Sequence, residues 1–101
     1  VRTAWHGPGD VSPVGHAANV HLDLTINNFG IQEARDFSQA ERDVFPGCPE
    51  LRDGYYWASD RPGLGIELDE KLAARFPIRD DPSFDLFWGN LRRRDGTATK
   101  P

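Results

Sequence analysis

Apolar positions change their spacing several times along this chain, and each change marks a boundary. Val1-Arg2-Thr3-Ala4-Trp5 reads as a short strand that stops at the Gly7-Pro8-Gly9 cluster. Ser12 is placed to cap a helix and Pro13 to open it, where a missing N–H costs nothing. Val14, Ala17, Ala18, His21 and Leu22 then recur at helical spacing, so the pattern predicts a helix over 13–25. Asn27 and Asn28 close it, and Phe29-Gly30-Ile31-Gln32-Glu33 predicts a short buried strand with a charged end. Strand, helix, strand is a βαβ unit, which implies parallel strands.

Beyond Glu33 the chain becomes more polar. Phe37, Ala40, Val44 and Phe45 are spaced for a short helix within 34–45, ended by Pro46-Gly47. Leu51-Arg52-Asp53-Gly54-Tyr55-Tyr56-Trp57 carries an Asp-Gly hairpin signal between strand-like flanks. Pro62-Gly63 turns the chain into Leu64–Leu68, a predicted strand, and Asp69 caps a predicted helix over 70–76. Leu72, Ala73 and Phe76 would face a core there, and Pro77 stops the helix. From 78 onward the chain is charged and predicted irregular, anchored by Phe84, Leu86, Phe87 and Trp88. One βαβ unit leaves its parallel strands bare on at least one face, so something else must cover them.

Composition narrows the class. The 101 residues fit one modest domain, and 38% hydrophobic with 28% charged residues is a globular balance. A net charge of -4 argues against a nucleic-acid partner held through phosphates. Arg92-Arg93-Arg94, beside Asp95, reads as a solvated patch. Cys48 is alone, which excludes an intrachain disulfide and suits a reducing cytoplasm. No apolar run approaches the roughly 18 residues of a membrane span. The chain has no methionine and begins Val-Arg-Thr, as initiator removal or a start within a longer polypeptide would each explain.

In α/β sheets and barrels, working residues gather at the C-terminal ends of parallel strands. His6 and Glu33 each stand at such an end, with Asp10 four positions after His6. If the strands are neighbours, His6 and Glu33 converge; the plain alternative is a turn with polar decoration, and the residues alone leave both open. The loop feeds a helix N-terminus, which favours an anion by about 0.3–1 kcal/mol. Pro8 and Pro13 bring no donors, however, and Asp10 competes as an anion. His6, Asp10, His16 and His21 do not make a metal set, because His16 and His21 are five apart and miss the shared face of an i, i+4 pair. Both are expected at the surface or half-buried. No nucleophile elbow or phosphate loop is present, and Cys48 has no histidine nearby in sequence.

The stretches "HGPGDVSPVGHAANVHLDL", "NFGIQE", "VFPGCPELRDGYYW" and "RPGLGIELDEKLAARFP" strongly resemble the C-terminal part of the mannonate dehydratase subgroup of the enolase superfamily, over residues 1–77. The resemblance implies an α/β fold, the C-terminal part of a (β/α)7β TIM-like barrel. Residues 1–33 would be its last two strands and intervening helix. A hairpin and short helix in 34–77 would return to the barrel and capping domain, with 78–101 as a tail. It also implies a lyase of carbohydrate metabolism that dehydrates a sugar acid with Mg²⁺, taking D-mannonate and/or D-gluconate to 2-keto-3-deoxy-D-gluconate. A proton beside the carboxylate is removed and the 3-hydroxyl leaves.

By the same resemblance His6 and Asp10 bind substrate oxygens, and Glu33 hydrogen-bonds the substrate near its carboxylate or hydroxyls. The Mg²⁺ ligands and the acid/base residues belong to earlier strands, so neither a catalytic nor a metal-binding residue is expected in this chain. Alone it would be inactive, since a barrel needs about 200 residues or more. The implied partners are the rest of the barrel, the capping domain and further copies in a homo-oligomer. Pro8 occupies a position that is alanine in efficient mannonate-specific members and proline in slower, gluconate-using ones, so it points towards gluconate. The end, Asp95–Pro101, lacks the closing aromatic of the family. Two rival readings are a non-catalytic sugar-acid binding or regulatory protein on the same scaffold, and an independent small α/β interaction domain.

Overall fold

The computed structural model describes residues 1–9 and 11–77. It opens with strand β1 (Thr3–Trp5), helix α1 (Pro13–Thr25) and strand β2 (Phe29–Gln32). β1 and β2 are parallel, as the order of the elements predicts, with α1 as the crossover. Ser12 caps α1 by accepting the Gly15 N–H at 3.1 Å, and Pro13 fills the first turn. At the far end the Ile26 N–H bonds the Leu22 carbonyl at 3.1 Å and the backbone turns extended.

The register pairs Thr3 with Phe29, then Ala4 with Ile31 and Trp5 with Gln32, so Gly30 is an extra residue bulged out of the ladder. A side chain there would meet the Thr3 carbonyl at 2.8 Å, which glycine avoids. Side chains alternate across a strand. Trp5 and Gln32 are half-buried, whereas Ala4 and Ile31 are exposed, Ile31 by 67%. Among the described residues, that second face of the sheet is bare.

The buried stripe of α1 runs Pro13, His16, Ala17, Val20, the i, i+3, i+4, i+7 spacing of one helix face. This corrects the expected stripe: of Val14, Ala17, Ala18, His21 and Leu22, only Ala17 is buried, and Val14 and Leu22 are exposed. Both stripes are apolar enough to pack, and residues 34–57 cover the one that carries His16.

Helix α2 (Gln39–Val44) is shorter than the 34–45 window because Ser38 caps it. Ser38 and Glu41 form a reciprocal capping box, with the Ser38 N–H donating to Glu41 Oε2 at 2.8 Å. Arg35 also grips the Glu41 carboxylate with both terminal nitrogens, at 3.2 and 2.6 Å. The hairpin falls where expected, as antiparallel β3 (Glu50–Arg52) and β4 (Tyr55–Trp57). Its turn residues Asp53 and Gly54 have φ of 53° and 80°, the two positive values a type I′ turn needs.

The predicted strand over Leu64–Leu68 does not form. Gly63 and Gly65 both sit in the left-handed region, at φ 68°, which breaks the extended run before it can build a ladder. The chain then lies against the end of α2 through Glu67 N–H to the Pro46 carbonyl at 2.9 Å and Asp69 N–H to the Val44 carbonyl at 2.8 Å. Helix α3 (Glu70–Ala73) is capped by Asp69 as expected, but it is shorter than 70–76 and continues as turns to Phe76. Leu72 and Ala73 are half-buried and Phe76 is exposed, so this short helix does not present the core face the pattern suggests. Among the described residues the core includes His16, Ala17, Val20, Phe37, Val44, Cys48 and Pro49. The expected anchor at Phe84, Leu86, Phe87 and Trp88 and the basic run at 92–94 lie outside the described residues.

The grip of Arg35 holds the Glu41 carboxyl down at about 2. A depressed carboxylate contributes stability that is whole above its ordinary value of 4.5 and lost as the pH falls towards about 2. Glu41→Gln should therefore cost about 1 kcal/mol at pH 7, after allowance for solvent screening. Urea denaturation of parent and variant across pH checks this, and the gap between them should close below pH 4.5.

Candidate functional site

Both strands end at the same rim. β1 leads directly into His6 and β2 into Glu33, and the Glu33 N–H donates to the Trp5 carbonyl at 3.1 Å, which carries the ladder one step past the strands. Glu33 Oε2 stands 3.7 Å from His6 Nε2 and accepts the Gly7 N–H at 3.1 Å. One carboxylate oxygen thus faces an imidazole and a backbone amide together. The side chains of His6 and Glu33 are 79% and 54% exposed, open to a ligand from water.

Pro8, half-buried, follows directly, and its carbonyl accepts the Val11 N–H at 3.0 Å to close the turn into α1. The structure therefore brings together His6, Pro8 and Glu33. Asp10 lies outside the described residues. A fixed carboxylate acceptor beside an imidazole that can donate or accept can bind hydroxyl groups of a ligand. At the helix N-terminus Ser12 already takes the Gly15 N–H, which removes one donor from any anion.

Under this rim lies His16, which corrects a second expectation. It is 0% exposed, not at the surface or half-buried. Its ring meets Phe37 edge-on at 5.4 Å between centroids and Tyr56 at 5.8 Å. Burial, then the nearby Arg35 charge, push its pKa below the ordinary 6.5, partly offset by the Pro8 carbonyl and Glu33, so the neutral imidazole is favoured. The helical pattern holds no signal for this, because histidine scores as polar. The spacing from Pro13 to Val20 reveals it only if His16 is counted as apolar.

Gly7, which the sequence marks only as turn punctuation, is buried between these layers. A Cβ there would stand 2.3 Å from the Glu33 carbonyl oxygen and 2.9 Å from His16 Cε1. His21, half-buried, points elsewhere, with Nε2 3.1 Å from the Leu64 carbonyl. Cys48 is buried and its thiol is pushed up by desolvation, the opposite of an activated nucleophile. Among the described residues no three His, Cys, Asp or Glu side chains gather to hold a metal ion. None of their helices is long and apolar enough to cross a membrane.

Comparison with known proteins gives a consistent picture. The family model described as enolase C-terminal domain-like matches residues 1–72. A D-galactonate dehydratase family member from Salmonella virchow is 57% identical over 102 aligned positions, covering 100% of this chain and 24% of the relative. One from Enterocloster bolteae is 54% identical over 101, with the same coverage. The chain spans about a quarter of the length of the curated relatives it matches. Among solved structures, an enolase from Pantoea ananatis with bound D-gluconate and Mg superposes with a TM-score of 0.81 at 52% identity, covering 100% of this chain and 24% of that one. A mandelate racemase/muconate lactonizing enzyme from Jannaschia sp. gives 0.68 at 31% identity, covering 79% and 20%.

The crowding at Gly7 makes a direct forecast. Gly7→Ala forces either the Glu33 backbone or the His16 ring to move, and overpacking of this kind costs about 1–3 kcal/mol. A thermal shift assay should show a clear drop in midpoint, with Gly9→Ala, which has open space around its Cβ, as the near-neutral control.

Proposed function

The chain belongs to the enolase C-terminal domain-like family, and from that premise we propose that it supplies the substrate-facing rim of a Mg²⁺-dependent sugar-acid dehydratase. The preferred substrate is D-gluconate, with D-mannonate as the slower alternative. The reaction removes the C2 proton and the C3 hydroxyl as one water, and the resulting enol tautomerises to 2-keto-3-deoxy-D-gluconate. No redox change is involved.

In this reading the residues of this chain bind and orient. His6 and Asp10 hold substrate oxygens, and Glu33 accepts a hydrogen bond from a substrate hydroxyl while the Gly7 amide holds the carboxylate in place. Pro8 shapes the wall that discriminates between epimers. Magnesium supplies charge to stabilise the enediolate when bound. In this reading its ligands, and the acid and base, are assigned to other parts of the polypeptide.

The observation that carries the reading is the approach of His6 Nε2 to within 3.7 Å of Glu33 Oε2 at the shared end of two parallel strands. It draws support from a relative of 52% identity that holds D-gluconate and Mg. The test is to assay the complete polypeptide on both sugar acids with Mg²⁺. Product should form, faster from D-gluconate, and its absence from both substrates would refute the activity. His6→Asn should raise KM by about tenfold or more, the order expected for a lost charge-assisted hydrogen bond. Pro8→Ala should shift the kcat/KM ratio towards D-mannonate.

A further inference from the structure

Burying an imidazole without partners for its nitrogens is costly, and an aromatic hydrocarbon would fill the same space without that cost. His16 is nevertheless fully buried, and neither Nδ1 nor Nε2 completes a hydrogen bond among the described residues. The ring lies directly under the substrate loop. Cε1 is 2.9 Å from where a Gly7 Cβ would be, and the Pro8 carbonyl is close enough to bias the ring towards its protonated form. Phe37 and Tyr56 hold the ring edge-on from below.

We propose that His16 is a positioning residue: its buried ring is the floor of the His6–Gly7–Pro8 loop, and its unpaired N–H bonds the Pro8 carbonyl when a ligand seats on the loop. The inference rests on the sugar-acid reading of the rim. It explains why a polar ring is buried where an apolar one would pack. Seating Pro8 on His16 presses the Gly7 amide against Glu33 Oε2, and so fixes the carboxylate relative to His6. His16 touches no substrate atom; it acts through Gly7 and Pro8. The groups that face it are Arg35 and Glu33 as charges and the Tyr56 and Phe37 rings. The Pro8 carbonyl accepts the Val11 N–H and keeps a second lone pair for the ring, towards which it already acts.

The experiment compares the complete polypeptide with His16→Phe, which keeps a flat ring and loses the donor, and with the matched pair His16→Gln and His16→Leu. Two readouts are taken: amide exchange over residues 6–9 by mass spectrometry, and kcat and KM for D-gluconate. His16→Phe and His16→Leu should speed exchange and raise KM by about tenfold, with kcat within about threefold of the parent. His16→Gln, which restores a donor, should recover KM to within about threefold of the parent. Parent-like exchange and KM in His16→Phe would overturn the proposal, because the ring would then be filler. If His16→Phe does not fold, equal behaviour of the Gln and Leu variants overturns it instead. A parent without turnover refutes the dehydratase reading, and the exchange data alone then decide for or against His16.

Discussion

Three rings hold the βαβ segment to the residues that follow it. His16 on α1 meets Phe37 and Tyr56 edge-on, and those two lie parallel with centroids 6.5 Å apart. Edge-to-face contacts of this kind add about 0.5–1.5 kcal/mol beyond burial. Tyr56 also ties the linking segment from both sides: its hydroxyl donates to the Arg35 carbonyl and accepts the Arg35 N–H at 3.1 Å. The hairpin is thereby fastened to residues 35–37, those residues to α1, and α1 to the strands. Burial raises the Tyr56 phenol and lowers the His16 imidazole, so both rings stay neutral near pH 7 and the cluster packs without charge.

The rim depends on this cluster in a layered way. At the top are two exposed polar side chains, below them a glycine with no room for a Cβ, and below that the His16 ring. Each layer sets the height of the next. An exposed carboxylate would ordinarily sample many rotamers, at a cost in entropy when a ligand fixes it. Here the Gly7 N–H restrains it before any ligand arrives, which is how a surface glutamate becomes a preorganised acceptor.

Much of the architecture is legible in the residues. Ser12-Pro13 and Asp53-Gly54 punctuate so strongly that α1 and the hairpin turn stand where the pattern puts them, because capping and positive φ are local requirements. The segment from Leu64 to Leu68 looks equally plain and is not, since alternation cannot register that Gly63 and Gly65 adopt left-handed backbone. The buried helix stripe lies one step from the expected one because apolar residues on α1 exceed what one face needs, and tertiary contacts choose between them. For the site, the strand-end rule puts His6 and Glu33 at one rim, while their roles come from likeness to a family. The layer beneath the rim stays hidden, because a buried histidine obeys packing and not hydropathy.

The bulge at Gly30 bears on all of this as a question of phase. Were Gly30 paired in the ladder and not bulged out of it, Thr3 opposite Phe29 would bring Ala4 opposite Gly30 and His6 opposite Gln32. Glu33 would then point to the α1 side, since one residue of slip exchanges the two faces of a strand. With the bulge, Ala4 stands level with Ile31, and two residues on, His6 stands level with Glu33 on the same face. Length between β1 and β2 is therefore as much a part of the site as chemistry. With Thr3 held opposite Phe29, deleting Gly30 itself would only straighten the ladder, whereas deleting Ala4 would leave every side chain of the rim unaltered in kind and yet set His6 level with Gln32, with imidazole and carboxylate on opposite faces of the sheet.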